Sequence, residues 1–233
     1  MLLHNLNGVS STVMSRSAAK DFGLTRPKLR DVDANMMRRC IALSQDSGEH
    51  GEYPYAAIIC RDSEFVCESI NRAARDHDVT RHAELVAISE AQKLLGVTSL
   101  DDCTIYANVE PCASCSYAIR ESRIGRVVYG LQSPLMGGHS RWNILADQKL
   151  SEALPEVFAP APEIMALYMA DETESTLRKC NPLIWHFIRE RALLVSHLAN
   201  ANTSLSSSSR ERSIWRILMG TIRRNLIDRI GRG

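Results

Sequence analysis

The sequence predicts an α/β fold, a three-layer α/β/α sandwich with a mixed central sheet and extra C-terminal helices. Short apolar runs alternate with segments of helical period from residue 31 to residue 130, which is typical of α/β proteins. The first two apolar runs are separated only by the polar turn 61–63, so they should form an antiparallel hairpin. Helices separate the later strands, and such crossovers connect parallel strands, so the sheet should be mixed.

Each core element follows from a local pattern. Asp31 or Asp33 can cap a first amphipathic helix, and Gly96 marks the end of a second one. The expected core consists of helix 31–46, strands 55–60 and 65–70, helix 83–95, strand 104–109, helix 112–122 and strand 126–130. Beyond a loop rich in Gly, Pro and Ser, further helices are expected at about 144–154, 163–179 and 183–198.

Composition divides the chain of 233 residues into four parts. The expected parts are a basic flexible arm at 1–30, a globular domain at 31–198 with its motif core at 31–145 and C-terminal helices at 146–198, a Ser-rich linker at 199–209, and a basic amphipathic tail helix at 210–233. The tail helix could dock on its own domain or on a partner subunit, or it could contact a membrane surface or a nucleic acid.

The net charge of +1 conceals an acidic body between two basic ends. Residues 31–209 carry 16 basic against 24 acidic side chains, a net charge of −8. Binding to a phosphate backbone depends on lysine and arginine, so this balance weighs against a large nucleic-acid substrate. No apolar run approaches the roughly 18 residues of a membrane span, so no integral membrane association is expected. The seven cysteines are scattered, which indicates a reducing, cytoplasmic location.

Two short motifs contain residues suited to chemistry: the His-Ala-Glu triplet at 82–84 and the Pro-Cys-Ala-Ser-Cys run at 111–115. Two cysteines three apart at a helix start lie on one face, where the positive helix end stabilises thiolates for zinc binding or redox chemistry. Right-handed crossovers bring successive helix starts to one edge of the sheet, so His82 can supply a third ligand. Three ligands leave one position open for water, with Glu84 beside it as a proton carrier. This arrangement suits hydrolytic loss of ammonia from an amidine-like carbon.

Simpler interpretations of the same residues stay open at this point. Cys112 and Cys115 could form a redox pair, although the usual aromatic lead-in is missing. A structural zinc site would require a fourth Cys or His and would leave Glu84 without a task. Asn71 alone would more often be a turn former at the end of a strand, and only the context of the motifs favours a binding role. The Gly-Gly loop that contains Trp142 is either a wall of the pocket or an ordinary surface connection.

The triplet and the Pro-Cys-x-x-Cys run, separated by one strand, resemble the zinc-dependent cytidine deaminase superfamily. Segments 77–84, 109–112 and 122–130 are especially similar to its purine-acting branch, which contains tRNA wobble-adenosine deaminases and guanine deaminases. The resemblance implies a cytidine deaminase-like fold for the domain at 31–198, a homodimer and one Zn²⁺ per chain. The ligands that it implies are His82, Cys112 and Cys115.

The resemblance also assigns roles around the metal. It makes Glu84 the proton shuttle and Asn71 the residue that hydrogen-bonds the base. The other residues expected to contact substrate are Ala56, Ala57, Ala83, Glu110 and Trp142. Ala56 stands where the family usually has Gly, which leaves less room beside the pocket.

The expected function is zinc-dependent hydrolytic deamination of a purine-like nucleobase or nucleoside. One alternative is a tRNA wobble-adenosine deaminase, which the similarity at 122–130 favours and the acidic body disfavours. A second alternative is a non-catalytic, zinc-stabilised interaction module. Glu84 distinguishes this module from an enzyme, because a non-catalytic zinc site has no use for it.

Overall fold

The computed structural model describes residues 29–197. Most of the predicted arm, the linker at 199–209 and the tail helix at 210–233 therefore lie outside the described residues. Six helices and five strands are found in the described part, in the order α1 Asp31–Glu49, β1 Ala56–Arg61, β2 Glu64–Ile70, α2 Ala83–Leu95, β3 Cys103–Val109, α3 Ala113–Glu121, β4 Arg126–Leu131, α4 Gln148–Ala153, β5 Glu163–Met165, α5 Ala170–Cys180 and α6 Pro182–Glu190. The first seven of these elements, from α1 to β4, occur in the predicted order.

The five strands form one mixed sheet in the order β2-β1-β3-β4-β5. Strand β1 runs antiparallel to both β2 and β3, whereas β3, β4 and β5 are parallel to one another. Strand β2 is consequently parallel to β3 and β4, so the carboxyl ends of these three strands lie at the same edge. This edge is called the carboxyl edge below.

Alternating residues of β1 define the two faces of the sheet. Ala57 and Ile59 pack with residues of α2 and α3 in one buried cluster. Ile58 packs in a second cluster with Cys40 of α1 and Tyr106 of β3. Because a strand points successive side chains to opposite faces, one short segment can fill both cores. Helix α5 contacts α1 and β4, and the three-layer prediction is confirmed. Among residues 29–197, no helix is both long and apolar enough to cross a lipid bilayer.

The predicted helix 163–179 is wrong at its start. Residues Glu163–Met165 form the short edge strand β5, which pairs in parallel with β4. Two prolines in the segment 160–162 disfavour helix ahead of it. Pairing there gives β4 a neighbour on its outer side, and the helix begins only at Ala170.

The two neighbouring helices are shorter than expected. Helix α4 starts at Gln148, after Asp147, whose side chain accepts a hydrogen bond from the Lys149 N–H. Helix α6 ends at Glu190, because the chain turns at Ala192 with φ of 47°. The chain then continues to Val195, whose backbone N–H and carbonyl groups both form hydrogen bonds with the backbone of Gln132.

A buried arginine attaches the segment beyond β4 to α3. The guanidinium of Arg120 is enclosed, and one of its terminal nitrogens donates to the carbonyl oxygens of Ile144, Leu145 and Asp147. The other donates to Ser151 Oγ at 2.6 Å and to the carbonyl oxygen of Ala159 at 3.0 Å. One side chain thus holds residues 144–159 against the helix that follows the second sequence motif.

Candidate active site

Three predicted ligands meet at the carboxyl edge of the sheet. His82 is the N-cap of α2, Cys112 is the N-cap of α3, and Cys115 lies in the first turn of α3. Both helices follow strands that end at this edge, β2 through the loop 71–82 and β3 directly. The topology therefore brings together residues that are 30 and 33 positions apart in the chain.

The geometry of these donor atoms fits zinc. The Nδ1 atom of His82 lies 3.5 Å from Cys112 Sγ and 3.4 Å from Cys115 Sγ, and the two sulfurs are 3.5 Å apart. Zinc binds Cys sulfur at about 2.3 Å and His nitrogen at about 2.0 Å, so separations of this size match the edges of a tetrahedron around it. Among the described residues, this is the one group of three such side chains close enough to hold a metal.

The surroundings of Cys112 favour its thiolate. Hydrogen bonds with the Cys115 thiol, and further bonds with His82 and Ser114, lower the pKa of Cys112 to about 3 although burial opposes the change. The position at the start of α3 adds the positive end of the helix. A negatively charged thiolate at this position favours the binding of a divalent cation.

Glu84 lies in the first turn of α2 and is only 9% exposed. Burial raises the pKa of its carboxyl to about 7, and the negative charge of Cys112 adds to the shift, whereas His82 opposes it. A carboxyl that titrates near neutral pH can both accept and donate a proton in one reaction cycle. The structure places this group two residues from His82 on the same helix start.

Asn71 follows β2 at the same edge and is 3% exposed. Its backbone N–H donates to the Tyr55 carbonyl oxygen, and its side-chain Nδ2 donates to Glu52 at 3.0 Å. Glu52 was not predicted from the sequence. No local pattern marks it, because its partner lies 19 residues away in the chain.

Glu110 holds a loop through its side-chain carboxylate. Its two oxygens accept from the backbone N–H groups of Ser133, His139 and Ser140, at 2.7, 3.0 and 2.6 Å, and from the Ser140 hydroxyl at 2.8 Å. These donors saturate a buried carboxylate. The Glu110 carboxylate therefore positions the loop 133–140, and the contact of this residue with substrate stays a prediction.

Two glycines let this loop lie against the metal-binding turn. The Gly138 N–H donates to the Pro111 carbonyl oxygen at 2.8 Å, and Gly137 forms a β-bridge with Cys112. A Cβ atom on Gly138 would overlap the Ser116 side chain, and one on Gly137 would overlap the Glu110 carboxylate. The loop is thus packed on the metal site and is not an ordinary surface connection.

The predicted small pocket residues are buried. Ala57 and Ala83 pack in the cluster on the α2 and α3 face, and Ala56 packs in the cluster on the α1 face. Their methyl groups serve packing, so any contact with substrate falls to their backbone atoms. Trp142 differs, since it is 56% exposed, and the Arg141 guanidinium lies 5.4 Å from its ring centroid.

The fold and the arrangement of the metal-binding side chains are those of the zinc-binding deaminases. The chain belongs to the family whose model is described as the cytidine and deoxycytidylate deaminase zinc-binding region, which matches residues 30–131. Within the superfamily it falls in the purine-acting branch. Family membership and the His-Cys-Cys donor set bear out the predicted zinc cofactor.

Three known proteins illustrate the similarity. The tRNA-specific adenosine deaminase of Aquifex aeolicus is 36% identical over 120 residues, which are 51% of this chain and 80% of that protein. The tRNA(Ile)-lysidine synthase of Deinococcus radiodurans is 31% identical over 207 residues, 88% of this chain but only 33% of that protein. A structure from a study of A-to-I editing by tRNA:A34 deaminases has a TM-score of 0.55 at 28% identity, covering 61% of this chain and 99% of its own.

Proposed function

We propose that this chain is a zinc-dependent hydrolytic deaminase of a purine-like nucleobase or nucleoside, which releases ammonia. The observation that supports it most directly is the meeting of His82, Cys112 and Cys115 beside the buried carboxyl of Glu84. Three protein ligands leave one tetrahedral position for water. Zinc held by these residues would supply Lewis acidity, which makes water a competent nucleophile near neutral pH.

In this proposal Glu84 moves the protons. Its carboxylate removes a proton from the attacking water and delivers it to a ring nitrogen as the carbon–oxygen bond forms. Glu84 then takes the remaining proton of the added hydroxyl group and passes it to the amine, which leaves as ammonia when the carbon–nitrogen bond breaks and the carbonyl forms. A pKa near 7 suits a group that must both take and give protons. Glu84 is not among the three proposed ligands, so its chemistry is separable from metal binding.

Charges near the site favour a small substrate over a polyanion. The loop 71–82, which joins β2 to His82, carries Arg72, Arg75 and Arg81. Arg72 and Arg75 pair with Asp76, at 3.5 and 3.2 Å, and Arg81 pairs with Asp78 at 3.1 Å. Guanidinium groups paired within their own loop are less available to phosphates, and residues 31–209 carry a net charge of −8.

Ammonia release measured over free purines, nucleosides, pterins, cytosine and tRNA tests this proposal. We expect turnover of a free base or nucleoside that depends on zinc and on Glu84. If the purified, zinc-loaded protein released ammonia from none of these compounds, the interaction module would replace the enzyme as the better interpretation.

The second candidate is tRNA wobble-adenosine deamination. The similarity to the Aquifex tRNA-specific adenosine deaminase supports it. The exposed Trp142, with Arg141 close to its ring, also offers a surface on which a single-stranded base could stack. An anticodon stem-loop with adenosine at the wobble position tests it directly. Turnover of that RNA, with a steep loss on raising the salt concentration and no turnover of free bases, would favour this candidate.

A homodimer and a cytoplasmic location complete the proposal. The dimer is inferred from the family resemblance, and the reducing compartment is inferred from seven scattered cysteines. We also propose that the domain extends from residue 31 to residue 198, and that the tail at 210–233 has a docking role. Sedimentation of the full chain, compared with a chain truncated after Ser204, tests the dimer and the tail together.

A further inference from the structure

We propose that Glu52 is a positioning residue that determines which edge of a base Asn71 recognises. The Glu52 carboxylate fixes the amide of Asn71 so that its Oδ1 atom is left to accept a hydrogen bond from the substrate. This inference rests on the proposed function, since it concerns base recognition at the same site.

Glu52 lies on the connection between α1 and β1 and is 8% exposed. One of its oxygens accepts from Asn71 Nδ2 at 3.0 Å and from the Tyr53 N–H at 3.2 Å. The other accepts from the Arg75 N–H at 2.7 Å. The carboxylate thus joins three segments of the carboxyl edge: its own connection, the end of β2, and the loop that leads to His82.

Neighbouring contacts hold the connection in place. The side chain of Asn108, in β3, donates to the Pro54 carbonyl oxygen at 2.9 Å and accepts from the Ala56 N–H at 3.0 Å. The segment that contains Glu52 is therefore attached to the strand that ends next to Cys112. Glu52 is held between fixed elements and can impose a direction on the side chain that it contacts.

The chemistry of the pair fixes the direction of the amide. An ionised carboxylate only accepts hydrogen bonds, so the NH₂ end of Asn71 must face Glu52. Among the described residues, Asn71 Oδ1 accepts no hydrogen bond, and it is not one of the fully buried side-chain atoms that lack a partner. Although the residue as a whole is 3% exposed, this oxygen is therefore reached by solvent, and a ligand that displaces the solvent must supply a donor to it. Asn71 therefore offers an acceptor, with its second N–H beside it.

This pattern selects a class of base edge. The matching edge has an N–H donor next to an acceptor, as in an exocyclic amine beside a ring nitrogen or a lactam N–H beside its oxygen. An edge with acceptors alone would leave Oδ1 without a partner, and a site built to pair with a donor discriminates strongly against ligands that lack one. Glu52 would contribute to this choice without touching the substrate.

Exchange of the two functional groups tests the proposal. In Glu52→Gln, the new side chain can keep its oxygen on the Arg75 N–H and turn its NH₂ toward Asn71, which reverses the Asn71 amide; the Tyr53 N–H loses its acceptor in this variant and in the double variant alike. In Asn71→Asp, two carboxylates face each other. We expect each single variant to lose at least about 10-fold in kcat/KM, mainly through KM, because an oriented pair with charge is worth about 1.4 kcal/mol or more.

The double variant Glu52→Gln/Asn71→Asp restores a donor opposite an acceptor. The new amide at position 52 would donate to one oxygen of the new carboxylate at position 71, whose other oxygen would occupy the place of Asn71 Oδ1. We expect at least about a 10-fold recovery of kcat/KM over the weaker single variant, with zinc content unchanged throughout. The exposed Glu49→Gln, on the last turn of α1, is the matched control and should behave as wild type.

Losses that simply multiply in the double variant, with zinc and folding intact, would overturn the inference. If Glu52→Gln fails to fold, Glu52→Asp provides a second test, because a shorter carboxylate should retain more activity than the isosteric amide, and the opposite order would also overturn it. Stabilisation of each variant by added adenine or guanine, measured as a shift in Tm, separates the two proposals. If base binding is lost in each single variant and restored in the double variant, but no variant turns over substrate, the proposed deaminase activity is wrong and the role of Glu52 stands. A wild-type protein that binds no base would remove both.

Discussion

The guanidinium of Arg126 forms two hydrogen bonds with the carboxylate of Asp33, at 2.6 and 2.9 Å, between side chains that are almost completely buried. The Tyr106 hydroxyl donates to the same carboxylate at 2.8 Å, and so does the Arg30 N–H. Bidentate, charge-assisted pairs of this kind are strong and directional. The pair joins the first turn of α1 to the start of β4, at the edge of the sheet opposite the metal site.

Replacing Asp33 by Asn should destabilise the fold without changing the chemistry. The substitution keeps the shape but removes the carboxylate charge that faces the buried Arg126 guanidinium, whose other acidic neighbour, the half-exposed Glu163, lies at 3.4 Å. We expect the free energy of unfolding to fall by about 3 kcal/mol, as when one partner of a buried pair is removed. Urea unfolding measures it, and Asp31→Asn, exposed in the same turn, is the control. A loss no larger than in the control would contradict this account.

The Asp33 carboxylate should also make the stability of the fold depend on pH in the acidic range. Burial opposes its ionisation, but hydrogen bonds from Arg126, Arg30 and Tyr106 outweigh burial and lower the pKa of Asp33 below 3.8. A group with a lowered folded pKa stabilises the protein above its unfolded pKa, and this contribution disappears as the pH falls through the folded pKa. The difference in unfolding free energy between wild type and Asp33→Asn should therefore be constant above about pH 5 and shrink below pH 3.8. A difference that grew on acidification would have the wrong sign.

Glu84→Gln should yield a folded, zinc-loaded and nearly inactive protein. The amide has the size of the carboxyl and cannot carry the proton, so kcat should fall at least about 100-fold, the lower range for general acid–base catalysis. Ammonia release and zinc content measure the two effects separately. Glu90→Gln, further along α2, is the matched control. Turnover within a few-fold of wild type would refute the mechanism, and loss of zinc would instead make Glu84 part of the metal site.

Cys112→Ser should lose zinc and stability together. Metal binding is coupled to folding, so the variant should unfold at a lower temperature, and a chelator should lower the Tm of wild type but barely that of the variant. Cys180→Ser, a half-buried cysteine outside the donor group, should keep its metal. Stoichiometric zinc in a Cys112→Ser/Cys115→Ser double variant would exclude these residues as ligands.

Glu110→Gln should loosen the loop 133–140. The amide has one accepting oxygen in place of two, and its NH₂ would face N–H donors that now bond to the carboxylate. An unsatisfied buried donor costs about 1–3 kcal/mol, so we expect a loss of about 2 kcal/mol in unfolding free energy and weaker zinc retention. The exposed Glu121→Gln, at the end of α3, controls for the change of charge. Unchanged stability and metal affinity would show that the loop does not depend on Glu110.

Local patterns in the sequence were sufficient for much of the fold and for the three side chains that the structure brings together as a group able to hold a metal. The short apolar run that predicts β1 and the i, i+3 spacing of Cys112 and Cys115 are properties of a few neighbouring residues. Strand β5 was missed because Ile164 and Met165 suit a helix equally well, and only pairing with β4 decides between the two. The Asp33–Arg126 pair spans 93 residues, so no local pattern indicates it. The bonds of Glu110 to the loop 133–140 were not predicted either, because their donors lie 23 to 30 residues further along the chain.

The contacts of Arg120 bear on how far this domain can be shortened or recombined. The family match ends at residue 131, yet the hydrogen bonds that its guanidinium donates end on groups between residues 144 and 159. A fragment cut at residue 131 would keep the arginine and discard every one of these acceptors, leaving a charged group in an apolar setting or admitting water beneath α3. A fragment of this domain that is transferred into another protein should therefore include the chain through β5. Chimeras that join a foreign C-terminal half after β4 should be soluble only if that half supplies an equivalent set of carbonyl groups.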